Sequence, residues 1–488
     1  MTSSSAADEW AFATIDDLAG ALRRRKVSAL ELADAACDRL ERIGPRYNAV
    51  AAVMRERARA EARAADRALA RAGARAPLLG VPYGVKDLLA ARGAPTTWGA
   101  ASYRDQVFDF DATAVARLRR AGGVLAAKLA MVELAGGGGY RYPSASLQGP
   151  GRNPWDPSRW SGGSSSGSGA SVAAGLVPFA LGSETSGSIG TPSAYCGVTG
   201  LRPTYGLVSR HGAMALSWTL DKIGPLARSA RDCAIVLEAI AGPDRADPTS
   251  SGKRFRRLER RAASAAPRKT RVGYAETDIA LHAGEEAKAA LARGVAEFKR
   301  VVPGFVAASL PGDLPYGPMV GTVYGAEGAT IFAELIESEP FEELPDARQK
   351  AGLRAALDIR ARDYLQAMRL RTVLQRATAE LFERVDVLLS VGRTITATPI
   401  GQPLDQPRPG GPPAAEPGKT PPAPGNIGLI PAGNLAGLPA VFFPCGFGTD
   451  GLPVGLQVVG PPFSEPLLVA LVEAYQRETD HHLKRPKL

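Results

Sequence analysis

Two serine-rich loops contain the side chains of this chain whose types and spacing best suit nucleophilic chemistry. Residues 162–168 read GGSSSGS and residues 182–189 read GSETSGSI, and an apolar run, SVAAGLVPFALG, leads from the first loop to the second. A serine hydroxyl is a weak nucleophile until a base removes its proton. Because a strand within the apolar run could bring the ends of the two loops together, we expect them to form one site.

Lysine is the base that the rest of the sequence offers. Of the four histidines, two lie in the polar C-terminal tail, and neither His211 nor His282 lies near a GxSxG elbow. A lysine accepts a proton only while it is neutral, and burial among apolar residues favours that state. Lys86 lies beside Asp87 in the apolar segment LGVPYGVKDLL, residues 79–89, and is therefore the candidate base.

Other kinds of active site find less support. The sequence has no HExxH motif, and its Gly-rich segment contains neither a GxxxxGK[ST] phosphate loop nor a GxGxxG fingerprint. Cys37, Cys196, Cys233 and Cys445 are far apart and form no CxxC pair, which predicts buried thiols in a reducing compartment. We therefore expect no metal and no cofactor.

The residues around these loops resemble the amidase signature family. Residues 162–202, GGSSSGSGASVAAGLVPFALGSETSGSIGTPSAYCGVTGLR, are similar to the signature segment of that family, and GVPYGVKD upstream resembles its lysine motif. Further segments match in order along nearly the whole chain, namely LRPTYGLVSR, DKIGPLARS, GLPAVFFPCG and GLPVGLQVVG. The resemblance implies acyl transfer by a serine nucleophile, with hydrolysis of a linear amide through an acyl-enzyme.

Carried over residue by residue, the resemblance assigns a catalytic triad. The family's lysine base falls on Lys86, its bridging serine in a cis peptide falls on Ser164, and its nucleophile falls on Ser188, 24 residues after Ser164. Backbone N–H groups of the second loop would hold the oxyanion, which adds Thr185, Ser186 and Gly187, together with Ser188 itself. A single donor of this kind typically contributes about 3 kcal/mol in the transition state.

The second loop departs from the family pattern at three positions. The family usually has Asp-x-Gly-Gly-Ser-Ile-Arg, whereas this chain has Glu184 for the aspartate, Ser186 for a glycine and Gly190 for the arginine. Without that arginine the nucleophile loses a nearby cation, so acidic substrates lose a natural partner. We therefore expect a small, neutral, rather apolar aryl or alkyl amide as substrate. Candidate pocket residues are Gly136, Gly137, Tyr140, Tyr142 and Trp218, for which ordinary aromatic packing is the alternative role.

Three alternatives to an amidase remain open. The same triad could hydrolyse a carbamate (urethane) or an ester, since the attack on the carbonyl is identical. The chain is also similar to the glutaminase subunit of the tRNA-dependent amidotransferase, although that subunit normally retains the Gly-Gly-Ser-Ile-Arg form. A non-catalytic homologue used for binding is the third alternative.

Composition and charge fit a soluble enzyme. Hydrophobic residues make up 45% of the 488 residues and charged residues 22%, as in ordinary globular proteins. The net charge of +10 resides largely in arginines scattered among alanines, as in residues 55–76, which is typical of a solvated helix face and comes with no nucleic-acid-reading motif. The N-terminus lacks a signal-peptide core and no run approaches 18 apolar residues, so we expect a cytoplasmic monomer or homodimer that acts on a small molecule without nucleic acid or membrane.

Helices and strands alternate along the chain and predict an α/β fold. Thr14 to Asp17 and Ser28 to Glu31 have capping-box spacing, strands are expected in residues 79–89 and at VLAAKL, AVFFPCG and PVGLQVVG, and Asp111 is expected to cap a helix. The resemblance implies one α/β/α domain over residues 1–488, with a large mixed β-sheet covered by helices on both faces. Its parts would be a core at 79–230, a helical substrate region at 276–385 and a Pro-rich surface loop at 399–425.

Overall fold

The computed structural model describes residues 8–71, 76–405 and 425–488. The strands of this part of the chain are β1 Val50–Val53, β2 Pro82–Lys86, β3 Val124–Leu129, β4 Arg152–Asn153, β5 Asp156–Trp160, β6 Phe179–Glu184, β7 Thr199–Arg202, β8 Lys222–Ala227, β9 Val272–Tyr274, β10 Phe305–Ala307, β11 Val387–Val391, β12 Ala440–Phe447 and β13 Pro453–Val459.

The α-helices between them are α1 Ile15–Arg23, α2 Ala29–Arg42, α3 Arg55–Leu69, α4 Thr113–Arg120, α5 Ser166–Ala173, α6 Gly190–Cys196, α7 Ala230–Ile240, α8 Arg260–Lys269, α9 Asp278–His282, α10 Glu285–Val301, α11 Tyr316–Ile331, α12 Ala333–Ile336, α13 Ala347–Leu357, α14 Ala361–Arg384, α15 Leu429–Ala436 and α16 Glu465–Glu478.

One mixed sheet organises the fold. Within the described ranges it has eleven strands, in the order β1-β3-β2-β6-β8-β7-β12-β13-β11-β9-β10, and helices cover both of its faces. β2 runs parallel to both β3 and β6, whereas β6 runs antiparallel to β8. The predicted α/β/α class with a large mixed sheet is therefore confirmed.

The pairing of β2 with β6 brings distant parts of the sequence together. Val85 lies opposite Leu181, so the end of β2 at Lys86 lies near the end of β6, where Ser183 and Glu184 form the first part of the second serine loop. Every residue of both strands is buried, as is usual for parallel strands covered on both faces. Burial at this point removes Lys86 from water.

Most local predictions are confirmed. Both capping boxes form, at the start of α1 and of α2. The strand expected in residues 79–89 occupies residues 82–86, and VLAAKL forms β3 without a change of bounds. The apolar run between the serine loops forms the end of α5 and the start of β6 rather than a strand alone.

The prediction for Asp111 is wrong. Helix α4 begins at Thr113, and its N-cap, Ala112, makes no side-chain cap. Asp111 instead accepts hydrogen bonds from the Arg57 guanidinium at 2.8 and 2.9 Å and from the Arg92 N–H at 2.9 Å. A bidentate arginine is a stronger partner for a carboxylate than a helix N–H, which explains the change.

Two predicted regions lie only partly within the described residues. Residues 406–424 of the Pro-rich loop and residues 72–75 of the Arg/Ala-rich segment fall outside them. Residues 276–385 consist mainly of helices, with the three-residue strand β10 between α10 and α11. No helix in the described ranges combines the length and the apolar character that crossing a membrane requires.

Candidate active site

Lys86 lies at the centre of the site and contacts two serines. Its Nζ lies 2.7 Å from Ser164 Oγ and 3.0 Å from Ser183 Oγ, and its side chain is fully buried. Ser164 comes from the first serine loop and Ser183 from the end of β6. The amine is therefore positioned to exchange a proton with the Ser164 hydroxyl.

The environment of Lys86 favours its neutral form. Its neighbour Asp87 does not pair with it, because the Asp87 carboxylate faces the Lys128 ammonium at 2.8 Å and accepts a hydrogen bond from the Thr97 N–H at 3.0 Å. Burial lowers the pKa of Lys86 from 10.5 to about 7, although the carboxylates of Asp221 and Glu184 oppose this shift from a distance. At neutral pH about half of the molecules would thus carry a basic amine at this position.

Ser164 is fixed by the backbone around it. The Gly163–Ser164 peptide bond is cis, and the carbonyl of Ser164 accepts a hydrogen bond from the Val132 N–H at 3.0 Å. A Cβ at position 163 would lie 2.8 Å from both Trp160 and Val132, so only glycine fits there. Trp160 thus packs directly under the serine loop.

Ser188 lies next to this pair without completing a chain of hydrogen bonds. The Ser165 N–H donates to the Ser188 carbonyl at 3.3 Å, which joins the two serine loops. Within the described residues no hydrogen bond links Ser164 Oγ to Ser188 Oγ. Such contacts are often long without substrate and tighten only when it binds.

The loop before Ser188 presents backbone N–H groups. In the described part of the chain, no hydrogen bond uses the N–H of Ser186, Gly187 or Ser188. Gly187 has a φ of +87°, which glycine adopts without strain, whereas Ser186 keeps a negative φ and so tolerates its Cβ. Thr185 is held by its side chain, which donates to Asp221 at 2.5 Å. The serine at position 186 is therefore accommodated without a left-handed backbone.

Glu184 stabilises the turn that carries Ser188. One of its carboxylate oxygens accepts from the N–H groups of Ile189 and Gly190, both at 2.9 Å, and the other accepts from Arg202 and Asn434, both at 2.8 Å. Against the effect of burial, these partners lower the pKa of Glu184 to about 2. The glutamate in place of the family aspartate is therefore fully ionised and fixes the start of α6.

Gly190 does not face the candidate site. A Cβ at this position would lie 2.5–2.6 Å from ring atoms of Phe442 in β12, and Gly190 is not among the residues that line the cavity beside Ser188. An arginine would not fit here unless Phe442 moved. The absence of an arginine at position 190 therefore does not determine the charge of the groups that line the cavity.

A cavity of about 550 Å³ opens beside Ser188. Of the five predicted pocket residues, Gly136 and Tyr140 line it, whereas Gly137 and Tyr142 do not. Trp218 lines a neighbouring cavity of about 420 Å³ and is 41% exposed. Thr185, Ser186 and Ser188 all face the first cavity, so the second serine loop forms part of its wall.

The structure adds two residues to the site that the sequence did not single out. Ser183 shares the Lys86 amine with Ser164, and Arg393, two residues after the end of β11, lines the cavity. The only signal for Ser183 was its place in the second loop, because the contact depends on the register of β6 against β2. No motif or spacing in the sequence indicated Arg393. In the described ranges no group of three or more His, Cys, Asp or Glu side chains could hold a metal ion.

Comparisons with known proteins find relatives over nearly the whole chain. Residues 31–469 match the model of the Amidase family. The chain is 37% identical to the A subunit of the glutamyl-tRNA(Gln) amidotransferase of Roseiflexus sp. (strain RS-1), over 97% of this chain and 98% of that one. Its fold is similar to the peptide amidase from Stenotrophomonas maltophilia (TM-score 0.79, 28% identity, 96% and 97% of the chains covered).

A further solved structure belongs to a protein complex that is described as vestigial and as revealing the evolutionary origins of an s-triazine catabolic enzyme. It has a TM-score of 0.84 and 31% identity, with 95% of this chain and 98% of that chain covered. Together with the whole-length match to the family model, these relatives show that the chain belongs to the amidase family.

Proposed function

We propose that this protein hydrolyses a small-molecule amide, with Ser188 as nucleophile, Ser164 as proton relay and Lys86 as general base. The observation that carries the proposal is the 2.7 Å contact between Lys86 Nζ and Ser164 Oγ. It joins a fully buried amine to a loop that adjoins Ser188 and the cavity. A lysine this close to a serine and without a carboxylate in contact has the properties of a base.

In the proposed reaction protons move along one path in both directions. The neutral Lys86 amine takes a proton from Ser164, and Ser164 takes one from Ser188 as Ser188 Oγ attacks the carbonyl carbon. When the tetrahedral intermediate collapses, the C–N bond breaks and the leaving amine receives a proton from Ser164, which Lys86 replaces. In the second half of the reaction water gives a proton to Ser164, which passes one to Lys86, and the water oxygen attacks the acyl carbon. When the ester bond to Ser188 breaks, Ser188 Oγ takes a proton from Ser164, which Lys86 replaces, and the carboxylic acid leaves.

Charge on the carbonyl oxygen would be stabilised by the second serine loop. The unused N–H groups of Ser186, Gly187 and Ser188 are the candidate donors, and Thr185 lines the same cavity. The N–H groups of Ile189 and Gly190 are bound by Glu184 and would not take part. The oxyanion hole would therefore be formed by residues up to and including the nucleophile and not by the start of α6.

The expected preference for neutral amides lacks the support it had in the sequence, because position 190 faces Phe442 and Arg393 supplies a cation to the cavity. Hydrolysis of a carbamate or an ester by the same residues is the alternative within this mechanism. A panel of matched amide, ester and carbamate substrates with one common acyl group separates these three activities.

The proposed roles are tested by single substitutions in this panel. Ser188→Ala, Ser164→Ala and Lys86→Met should each lower kcat by roughly 10³-fold or more, and Ser188→Ala should also abolish covalent labelling by a fluorophosphonate. Ser171→Ala is the matched control, since Ser171 is a buried serine of the same segment whose hydroxyl has no hydrogen-bond partner among the described residues. Normal turnover by Lys86→Met, or labelling that persists in Ser188→Ala, would refute the assignment.

A second candidate function is that of a glutaminase-type component of a tRNA-dependent amidotransferase. It is favoured by the whole-length identity of 37% to one chain of such an enzyme. The Glu184, Ser186 and Gly190 variations count against it. Release of ammonia from glutamine only in the presence of partner subunits and tRNA would support this candidate, whereas turnover of small amides by the isolated chain would support the first.

A further inference from the structure

Arg393 is the only charged side chain among the described residues that line the cavity beside Ser188. The rest of that lining consists of aromatic, aliphatic, glycine, proline and hydroxyl residues. Arg393 is partly buried, and no ion pair or hydrogen bond joins its guanidinium to another side chain in the part of the chain that the structure describes. A cation that faces a cavity without a counter-charge is available to a ligand.

The backbone on both sides of Arg393 is tied to the sheet and to α10. The Gly392 N–H donates to the Gly455 carbonyl at 2.8 Å, and the Thr394 carbonyl accepts from the Gly284 N–H at 2.9 Å. These bonds fix the position from which the side chain projects. An anchor for a substrate group requires such a rigid base.

The guanidinium is also held against the element that follows the nucleophile. Its Cζ lies 6.0 Å from the centre of the Tyr195 ring, and Tyr195 belongs to α6, which begins two residues after Ser188. Tyr195 contacts Trp160 edge-on with ring centres 6.2 Å apart, and Trp160 packs under Gly163. An aromatic wall therefore connects the cation to the serine loops.

We propose that Arg393 binds a carboxylate of the substrate, so that the natural substrate is an amide that also carries a carboxylate. This inference rests on the proposed function, since it places the scissile amide at Ser188. A guanidinium presents donors in a planar fork that matches a carboxylate, which makes the pair directional as well as charge-assisted. A cavity of about 550 Å³ is of the size that small-molecule sites have.

The lining of this cavity also favours a substrate with a single negative charge over an amino-acid zwitterion. No Asp or Glu lines the cavity among the described residues. An ammonium group on the substrate would thus have no charged partner there, while the carboxylate would have Arg393. We therefore expect simple half-amides of dicarboxylic acids to be better substrates than amino-acid amides such as glutamine.

The test compares chromogenic substrates that differ in one charge. Butyryl-4-nitroanilide is neutral, whereas succinyl- and glutaryl-4-nitroanilide carry a terminal carboxylate on the acyl group. For the wild-type protein we expect at least one carboxylated substrate to exceed its neutral counterpart in kcat/KM by about 10- to 100-fold, as one charged hydrogen-bonded contact allows. In Arg393→Met this ratio should fall to near one, mainly through KM, and Arg393→Lys should restore part of it.

Arg141→Met serves as the matched control. Arg141 is a cation that stacks on Tyr142 in the neighbouring loop but does not line the cavity, so the substrate ratio should not change. Equal kcat/KM for neutral and carboxylated substrates in the wild type would overturn the proposal, as would an unchanged ratio in Arg393→Met that folds normally by thermal melting.

Failure of this proposal can be told apart from failure of the proposed function. If no substrate is cleaved and fluorophosphonate does not label Ser188, the hydrolase assignment fails. Calorimetric titration of Ser188→Ala with glutaramate and butyramide then still measures the role of Arg393. Tighter binding of glutaramate that is lost in the Ser188→Ala, Arg393→Met double variant supports it, and equal binding of the two ligands overturns it.

Discussion

Removing the Asp221 carboxylate should lower the pH at which this protein becomes active. Burial holds the pKa of Lys86 at about 7, and Asp221 is the first of the two carboxylates that raise it. Asp221 is itself buried and accepts hydrogen bonds from Thr185 Oγ1 at 2.5 Å and from the Leu216 N–H at 2.8 Å. Asparagine preserves the shape of the side chain but removes its charge, so Asp221→Asn should lower the pKa of Lys86 further.

The size of the effect follows from the fraction of neutral lysine. With a pKa of about 7, roughly one-tenth of the amine is neutral at pH 6 and roughly nine-tenths at pH 8, whereas a lysine at 10.5 would be neutral in about one molecule in 3,000 at pH 7. Burial therefore increases the active fraction at pH 7 on the order of 10³-fold. Activity should be lost as the pH falls through about 7, because the protonated amine cannot accept a proton.

The assay is the pH dependence of kcat/KM for a chromogenic amide from pH 5.5 to 9, which reports groups of the free enzyme. The wild type should rise to a plateau with its midpoint near 7, and Asp221→Asn should reach its plateau at lower pH. Asp247→Asn is the control, since Asp247 is buried but is not among the groups that act on Lys86. A wild-type profile that is flat, or that still rises at pH 9, would refute the reasoning, and so would a midpoint that moves upward in Asp221→Asn.

The remaining predictions concern stability. Between pH 7 and 10.5 the unfolded chain binds more protons at Lys86 than the folded chain, so the wild type gains stability as the pH rises through this range. At pH 6 Lys86→Met should therefore be more stable than the wild type by on the order of a few kcal/mol. Urea titrations should show this difference shrink towards pH 9. Glu184→Ala should lower the free energy of unfolding by about 3–5 kcal/mol because it leaves buried Arg202 unpaired; an unchanged urea midpoint would contradict this. Gly190→Arg should cost roughly 1–3 kcal/mol or more through overlap with Phe442, seen as a lower Tm; an unchanged Tm would show that the ring moves freely.

The sequence was most informative where structure depends on neighbouring residues. Capping boxes place the starts of α1 and α2 because the side chain and the N–H it binds are three residues apart. The mostly apolar segment VLAAKL, in which Lys128 is the one charged residue, predicts β3 for a similar reason, since a strand buried on both faces can be recognised from its own side chains. The types and order of Lys86, Ser164 and Ser188 likewise indicated the chemistry before the structure brought the first two together.

What only the tertiary structure decided are the contacts between distant segments. Whether Asp87 pairs with Lys86 or with Lys128 depends on how β2 lies against β3. Asp87 pairs with Lys128, which leaves Lys86 without a counter-ion in contact. The roles of Gly190 and Arg393 also depend on contacts between distant segments. A Cβ at Gly190 would meet Phe442 of β12, whereas Arg393, far along the chain from Ser188, lines the cavity beside it. Local residue patterns determine helices, strands and reactive groups, but the charge that a substrate meets is set by which segments the sheet places side by side, and no local pattern encodes that.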